Sequence, residues 1–361
     1  MRKLNSLHTY SLLFSALLFG ACTDGEKNSD EQSLPFVVSN ETALRGVYGK
    51  EIPIKIQLNE SLSELLALQV NDTLKFWKTP GGNLVLSFNT KESGVGKHDV
   101  KFTGKKSDGS FYDQIVTIEV LSDVPFTMLE PKVLTSYPHL ETSFTQGLEF
   151  DGDQLYEGTG DPNSNGATLV AKVDLKTGTH TSKTAAPIPN FGEGITILNG
   201  KLYQLTWQQQ TCFVYDKTTL KKEAEFKYEG EGWGLCNDGQ YLIMSNGTST
   251  LTFRDPKTFK IVKTIQVSTH TSSVSNLNEL EYANGLIYAN IWQDKILVSI
   301  EPSSGRVREI INCYSLVKMI PSISLDKVLN GIAHKKSSRT FYLTGKYWPT
   351  LFEVNFTPQR L

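Results

Sequence analysis

Short glycine-rich segments in the second half of the chain carry the residue types that could do chemistry. They are Phe144-Thr145-Gln146-Gly147-Leu148, Phe191-Gly192-Glu193-Gly194, Leu205-Thr206-Trp207, Gly232-Trp233-Gly234-Leu235, Asn276-Leu277-Asn278-Glu279-Leu280-Glu281, Ala289-Asn290-Ile291-Trp292-Gln293, Asn330-Gly331-Ile332-Ala333 and Thr344-Gly345-Lys346-Tyr347-Trp348-Pro349. A carboxyl group can act as a general acid or base, and amide and indole N–H groups can bind a polar substrate. Because each segment lies next to the start of a predicted hairpin, we expect one shared site.

Other residues that often do chemistry are poorly placed for it. The histidines at 139, 180, 270 and 334 lack metal-ligand spacing, so we expect no metal site. Cys212, Cys236 and Cys313 form no CxxC motif, and the sequence around the first two predicts buried structural thiols. Glu279 and Glu281 alternate along a predicted strand; a two-carboxylate glycosidase is conceivable, but we favour hydrogen bonds to loop backbone.

The segments belong to a loose repeat that begins after residue 126. Hydrophobic hairpin starts recur at 154–156, 201–203, 240–242, 286–288 and 340–342, and tight turns beginning at Asp174, Asp216, Asp255 and Glu301 follow the first four starts. The intervals between these turns, 42, 39 and 46 residues, are typical of four-stranded propeller blades. Five starts predict a five-bladed β-propeller over 127–361. Pairing of residues 351–356 with a strand near 132–136 would close it, since an open ring leaves unpaired edges.

Residues 34–123 follow a different pattern. Short alternating runs occur at 36–38, 52–58, 74–77, 84–88, 100–102 and 114–120, with glycine-rich turns between them. They predict a small immunoglobulin-like β-sandwich, and residues 61–68 fit one or two helical turns. Val124-Pro125 marks a linker. This module carries no cluster of chemically active residues, so a spacer or adhesion role is expected.

The N-terminus resembles an export signal. Arg2 and Lys3 precede a short apolar run, and small residues precede Cys22 as in a bacterial lipobox. We expect residues 1–21 to be a lipoprotein signal peptide, Cys22 to carry lipid, and 22–33 to be a flexible tether. Simple secretion is the alternative. The mature protein would then be an exported, membrane-anchored lipoprotein of the cell envelope, in the periplasm or on the outer surface.

Composition supports an all-β protein of two domains. The 361 residues are 39% hydrophobic and 20% charged, with 14 Tyr, 18 Phe and 28 Gly. Lys and Arg total 36 against 38 Asp and Glu, so the net charge is −2 and nucleic acid is not an expected partner. We expect a monomer.

Taken in order, the glycine-rich segments resemble the plant-type glutaminyl-peptide cyclotransferases, the glutamine cyclotransferase family of five-bladed propellers. The resemblance extends from Tyr137-Pro138-His139 to Leu351-Phe352-Glu353 and omits the first domain. It implies an enzyme that converts N-terminal glutamine of peptides or proteins to pyroglutamate and releases ammonia, with no metal and no cofactor. In that family the glutamate of Gly-Glu-Gly, here Glu193, is the candidate catalytic acid/base. The substrate-binding residues match Phe144, Gln146, Trp207, Trp233, Asn278, Trp292 and Lys346.

The implied reaction suits these residue types. The substrate's α-amine, with a pKa of about 7.7–8.0, must be neutral to attack its own γ-carboxamide. The departing nitrogen must be protonated, and one carboxyl group can accept the first proton and deliver it. Glu193 would suit that task if tryptophan rings exclude water from it. Asn278, Gln146 and an indole N–H would stabilise the oxyanion, Lys346 would add positive charge or tune Glu193, and the tryptophans would enclose the glutamine side chain.

A second class of function stays open at the sequence level. Gly-Glu-Gly is common in turns, and tryptophans often pack between blades, so the chain could be a non-catalytic cell-envelope propeller that binds peptide or glycan. The substitution Glu193→Gln separates the two classes, because an enzyme would lose turnover and a binder would keep its ligand. A quinone-dependent propeller oxidoreductase would need cofactor ligands that the sequence lacks.

Overall fold

The computed structural model describes residues 34–38, 44–69, 72–77, 82–321 and 326–359, and this part is all-β. Its helical segments are α1 (Thr90–Ser93) and α2 (Tyr314–Lys318). None of the helices described is long and apolar enough to cross a bilayer. The predicted signal peptide, Cys22 and the tether lie outside the described residues.

Two sheets form before residue 122, and their apolar faces share one core. A three-stranded sheet has the order β1-β3-β6 and a five-stranded sheet the order β2-β8-β7-β4-β5. The strands are β1 (Phe36–Val38), β2 (Leu44–Val47), β3 (Glu51–Leu58), β4 (Leu62–Gln69), β5 (Asp72–Trp77), β6 (Leu84–Asn89), β7 (Gly96–Lys106) and β8 (Phe111–Leu121). Alternate residues of β3 are buried, as expected for a strand with one face on a core.

The prediction of helical turns at 61–68 is wrong, because this segment is strand β4, paired with β7. The register between the two strands shifts between Leu62 and Glu64. This bulge places Leu62, Leu65 and Ala67 all in the core although the first two are three residues apart. A spacing of three is typical of a helix, and here a bulge produces it.

The strands after residue 126 form sheets of four consecutive antiparallel strands. Three sheets are separate, with the orders β10-β11-β12-β13, β14-β15-β16-β17 and β18-β19-β20-β21. Their strands are β10 (Thr145–Asp151), β11 (Gln154–Thr159), β12 (Leu169–Val173), β13 (His180–Ala185), β14 (Gly192–Leu198), β15 (Lys201–Thr206), β16 (Thr211–Asp216), β17 (Lys222–Lys227), β18 (Leu235–Asn237), β19 (Leu242–Met244), β20 (Thr250–Arg254) and β21 (Ile261–Gln266). The predicted hairpin starts lie in the second strands or, for 240–242, directly at the start of one.

The remaining strands join into one eight-stranded sheet with the order β22-β23-β24-β25-β9-β28-β27-β26. They are β9 (Thr127–Pro138), β22 (Leu277–Ala283), β23 (Leu286–Ile291), β24 (Ile296–Ile300), β25 (Val307–Asn312), β26 (Leu329–Lys335), β27 (Thr340–Gly345) and β28 (Thr350–Pro358). The pairing of β28 with β9 runs from Thr350 opposite Pro138 to Pro358 opposite Leu129. This confirms the predicted closure between the C-terminal strand and the strand near 132–136.

The first strand of each set contacts the first strand of the next. Contacts connect β10 with β14, β14 with β18, β18 with β22, β22 with β26, and β26 with β10, so these strands form a closed ring. Between the third and fourth strands lie the predicted tight turns. In three of them an aspartate side chain, that of Asp174, Asp216 or Asp255, accepts hydrogen bonds from the backbone two and three residues later.

Candidate active site

All eight pocket residues named from the sequence line a single cavity of about 260 Å³. They are Phe144, Gln146, Glu193, Trp207, Trp233, Asn278, Trp292 and Lys346, and Phe191 lines the cavity with them. Phe191 was not among the predicted site residues, although it occupies in Phe-Gly-Glu-Gly the place that Phe144 occupies in Phe-Thr-Gln-Gly.

The polar residues of the cavity lie at corresponding bulges in the inner strands. The pairing of first and second strands shifts register between Thr145 and Gly147, between Gly192 and Ile195, between Leu277 and Leu280, and between Leu329 and Ile332. Gln146, Glu193 and Asn278 lie within three of these bulges, and Glu193 belongs to strand β14 although Gly-Glu-Gly is common in turns. A bulge redirects a side chain out of the regular pleat, which turns these three toward one cavity.

Glycines follow Gln146 and Glu193 because the inner strands approach closely there. A Cβ on Gly147 would lie 2.5 Å from the backbone N of Ile195, and one on Gly194 would lie 2.4 Å from the backbone N of Leu235. Only glycine fits at such distances. The close approach of the inner strands therefore requires the glycines that follow Gln146 and Glu193 in the sequence.

A second set of pocket residues follows the second strands. The backbone N–H groups of Trp207, Trp292 and Lys346 donate to the carbonyls of the residues that precede the first strands, which are Phe191 (2.9 Å), Asn276 (2.8 Å) and Val328 (2.9 Å). The same bond recurs between Gly160 and Phe144 at 2.9 Å. The repeat thus delivers a side chain to the cavity from equivalent points of different strand sets.

Aromatic rings enclose the cavity. The ring centroids of Phe144 and Phe191 lie 5.9 Å apart, those of Phe191 and Trp207 5.7 Å, and those of Trp233 and Trp292 5.5 Å, all at steep angles. Trp207 is 36% exposed and Trp292 39% exposed, so the cavity opens to solvent beside these two rings.

Glu193 is only 5% exposed, and its Oε1 accepts a hydrogen bond from Nε2 of Gln146 at 2.9 Å. Burial raises the pKa of Glu193 well above its usual value; the charge of Lys346 opposes this rise and that of Glu231 adds to it. Burial lowers the pKa of Lys346 to about 8, against the opposing influence of Glu193. The Lys346 ammonium lies 4.4 Å from the centre of the Phe144 ring.

Asn330 fixes the orientation of Gln146. Its Nδ2 donates to the carbonyl of Thr145 at 2.9 Å and to Oε1 of Gln146 at 3.0 Å, and the residue is fully buried. Because a carbonyl only accepts, the NH₂ group of Asn330 must face this way. The Gln146 amide is then forced to direct its own NH₂ group at Glu193. Asn330 was not among the predicted site residues, although its Asn-Gly pair matches the Gln-Gly of Gln146.

Two indole N–H groups are used within the protein. Those of Trp207 and Trp233 donate to Glu231 at 2.8 and 3.0 Å. The expectation that one indole N–H reaches the substrate stays a prediction, and it does not fall on these two. No acceptor in the described part of the chain takes the indole N–H of Trp292, so the expectation stands for that residue.

A buried ion pair supports the segments that carry Phe144 and Lys346. Glu157 accepts hydrogen bonds from the hydroxyls of Ser143 (3.2 Å) and Thr145 (2.7 Å) and contacts Nε2 of His139 at 3.0 Å. The other nitrogen of His139 lies 2.7 Å from the Trp348 carbonyl. Since carbonyl and carboxylate oxygens only accept, both nitrogens must carry protons, and His139 is a cation.

The remaining titratable groups named from the sequence have structural contacts. Glu279 accepts from the backbone N–H of Leu148 (3.2 Å) and Ile332 (2.8 Å), and Glu281 from that of His334 (3.3 Å). The predicted backbone bonding is confirmed, although the partners lie in strands and not in loops. Cys212, Cys236 and Cys313 are free and buried, and burial was predicted for the first two. The described ranges hold no cluster of three His, Cys, Asp or Glu suited to a metal ion.

The fold and the cavity together define an all-β enzyme with a buried carboxylate in an aromatic pocket. The family model described as glutamine cyclotransferase matches residues 112–356. A glutaminyl-peptide cyclotransferase from Arabidopsis thaliana is 38% identical over 237 residues, 64% of this chain and 73% of that protein. A crystal structure of Myxococcus xanthus glutaminyl cyclase matches with a TM-score of 0.62 and 33% identity, over 65% of this chain and 100% of the other. The chain belongs to the glutamine cyclotransferase family.

Proposed function

We propose that this glutaminyl-peptide cyclotransferase converts the N-terminal glutamine of peptides or proteins to pyroglutamate and releases ammonia. The observation that carries the proposal is a single buried carboxylate, Glu193, bonded to Gln146 inside an aromatic cavity of about 260 Å³. This volume is at the small end for a ligand site, which suits one residue at the end of a chain.

Glu193 would act as acid and base in turn. The neutral α-amine attacks the γ-carboxamide carbon, forming the ring C–N bond and leaving a proton on the attacking nitrogen. Ionised Glu193 takes that proton and gives it to the amide nitrogen. The original C–N bond then breaks, ammonia leaves and Glu193 is ionised again. Burial supports this role, because it raises the pKa of the carboxyl group and so makes the ionised form a stronger base.

The other cavity residues would bind and orient the substrate. Asn278 and the indole N–H of Trp292 are the donors available for the γ-carbonyl oxygen, which becomes an oxyanion during attack. Lys346 would stabilise the same charge. The aromatic walls would force the glutamine side chain to fold back on its own amine, the geometry that ring closure needs.

We infer that the reaction needs no metal. Proton transfer and oxyanion stabilisation can be assigned to side chains of the cavity lining, which contains one carboxylate and neither His nor Cys. Retention of activity in a strong chelator would support this inference.

We also propose an architecture and a location. The closed ring of inner strands is consistent with a five-bladed propeller over 127–361, and the two N-terminal sheets with an immunoglobulin-like sandwich over 34–123. The basic and apolar start of the sequence and its lipobox support export and a lipid anchor on Cys22 in the cell envelope. We propose a monomer without affinity for nucleic acid.

The activity is tested with the full chain in detergent and a short peptide that begins with glutamine. Mass spectrometry should show loss of one ammonia, faster than the spontaneous reaction and unchanged by a chelator. A matched peptide that begins with asparagine should remain intact, because its shorter side chain would have to close a strained four-membered ring. Failure to exceed the spontaneous rate with folded protein would refute the proposal.

A further inference from the structure

Glu231 lies beside the cavity and binds two of its walls. One oxygen of its carboxylate, Oε2, accepts the indole N–H of Trp207 at 2.8 Å and that of Trp233 at 3.0 Å. The other oxygen accepts from the side-chain amide of Gln208 at 3.1 Å. Hydrogen bonds to an ionised carboxylate are about twice as strong as bonds between neutral groups.

The two tryptophans belong to different sheets. Trp207 follows the second strand of one sheet, β15, and Trp233 precedes the first strand of the next, β18. A single carboxylate therefore connects two neighbouring sheets at the mouth of the cavity. Trp207 is more than a third exposed, so few other contacts restrict its ring on the solvent side.

The loop that carries Glu231 is itself fixed. The backbone N–H of Gly232 donates to the carbonyl of Trp207 at 3.1 Å, and a Cβ on Gly232 would lie 2.2 Å from the hydroxyl of Tyr228. That hydroxyl donates to the carbonyl of Thr206. Glu231 is thus held from both sides and can act as a fixed point for the two indoles.

We propose that Glu231 is a positioning residue, which sets the width of the substrate pocket by holding Trp207 and Trp233 in place. This role rests on the proposed function, because the pocket so defined is the one for N-terminal glutamine. The structure also explains the residue type: two N–H donors converge on one oxygen, an arrangement that a carboxylate accepts readily and that a lysine or an alanine, which has no acceptor atom in its side chain, cannot accept.

Three variants separate the effect of positioning the two indoles from the effect of the negative charge of Glu231. Glu231→Ala removes the acceptor and should raise KM for a short glutamine peptide by about tenfold, with a smaller change in kcat, because the walls lose their anchor. Glu231→Gln keeps an acceptor oxygen for the indoles and should recover most of the loss. Glu229→Gln is the matched control, since Glu229 is an exposed acid two residues earlier in the same loop.

A second readout does not depend on turnover. Indoles freed from the carboxylate should be more mobile, so tryptophan fluorescence of Glu231→Ala should be quenched more strongly by acrylamide than that of the wild type or of Glu229→Gln. Raised KM and greater quenching that Glu231→Gln restores would support the inference. Unchanged KM and quenching in Glu231→Ala would overturn it. If the wild type fails to cyclise peptides, the proposed function fails, and the quenching result alone still decides whether Glu231 holds the indoles.

Discussion

Gln146 and Glu193 occupy the same bulge position in two adjacent inner strands, and Nε2 of Gln146 lies 2.9 Å from Oε1 of Glu193. The repeat of the fold thus converts two residues 47 positions apart in the chain into a hydrogen-bonded pair. Burial favours the neutral acid of Glu193, while the charge of Lys346 favours the ionised carboxylate. This balance suits a group that must both accept and donate a proton in one reaction cycle.

The charge of Lys346 should control the acid side of the pH profile. Burial raises the pKa of Glu193, and Lys346 opposes the rise while Glu231 adds to it. Activity needs ionised Glu193, so kcat should fall as pH drops through its raised pKa. Replacing Lys346 by methionine removes the opposing charge, so the fall should begin at higher pH. Profiles of kcat for the variant and the wild type measure this, with Lys318→Met on α2 as control. A shift to lower pH would contradict it.

Asn330 should matter for turnover although it does not line the cavity. Asn330→Ala removes the group that orients the Gln146 amide, so kcat should fall about tenfold or more, with little change in KM. Asn330→Asp should not recover it, because its oxygen cannot donate to the Thr145 carbonyl. Asn237→Ala is the control, since it also removes two hydrogen bonds donated by a side-chain NH₂ group, together with one accepted from Gly239, but lies outside the cavity. Equal losses of kcat in Asn330→Ala and Asn237→Ala would argue against the orienting role.

The buried pair of His139 and Glu157 should make stability depend on pH. Burial alone would lower the pKa of His139, but the charge and hydrogen bond of Glu157 outweigh it and raise the pKa. Burial would raise the pKa of Glu157, but His139 and His180 outweigh it and lower the pKa. The contribution of His139 is therefore present below its unfolded pKa and is lost as pH rises through the raised value. That of Glu157 is lost as pH falls through the lowered value.

His139→Leu should therefore destabilise the fold. It removes one of the two histidines that contact the buried carboxylate of Glu157 and leaves His180 as the other, and loss of one partner of a buried ion pair costs about 3–5 kcal/mol. The free energy of unfolding should fall by an amount of that order at neutral pH. In the variant it should no longer decrease as pH rises, because the histidine that loses its proton is absent. Denaturant titrations at several pH values test this, with His270→Leu as control. An unchanged pH dependence in His139→Leu would show that the pair does not act as described.

Much of the site could be predicted because the repeat is visible in the sequence. Gln146, Glu193 and Asn278 stand at equivalent points of recurrent segments, and equivalent points of a ring converge in space. The role of Asn330 was missed because a fully buried amide gives no sign of which neighbour it contacts. Glu231 gave no sign either, since its partners come from two different sheets and one of them lies 24 residues away.

The fold was predicted where alternation of polar and apolar residues is regular. Strand β3 buries every second residue and was found from that pattern, whereas the bulge in β4 breaks the alternation and suggested a helix. The closing pair of β9 and β28 was predictable from the need to remove sheet edges. Strand β9 also pairs in parallel with β25, and this pairing joins two sets of strands into one sheet. No local sequence pattern predicts it.

The most direct test of the account is the turnover of Glu193→Gln on a peptide with N-terminal glutamine. The glutamine side chain introduced at position 193 has the same size as glutamate and can still accept a hydrogen bond from Gln146. Its amide cannot take the proton from the amine and deliver it to the departing nitrogen. We expect kcat to fall by about 10²–10⁴-fold while circular dichroism and the thermal unfolding curve stay those of a folded protein. Turnover close to that of the wild type in a folded Glu193→Gln would contradict the assignment of Glu193 as the acid and base.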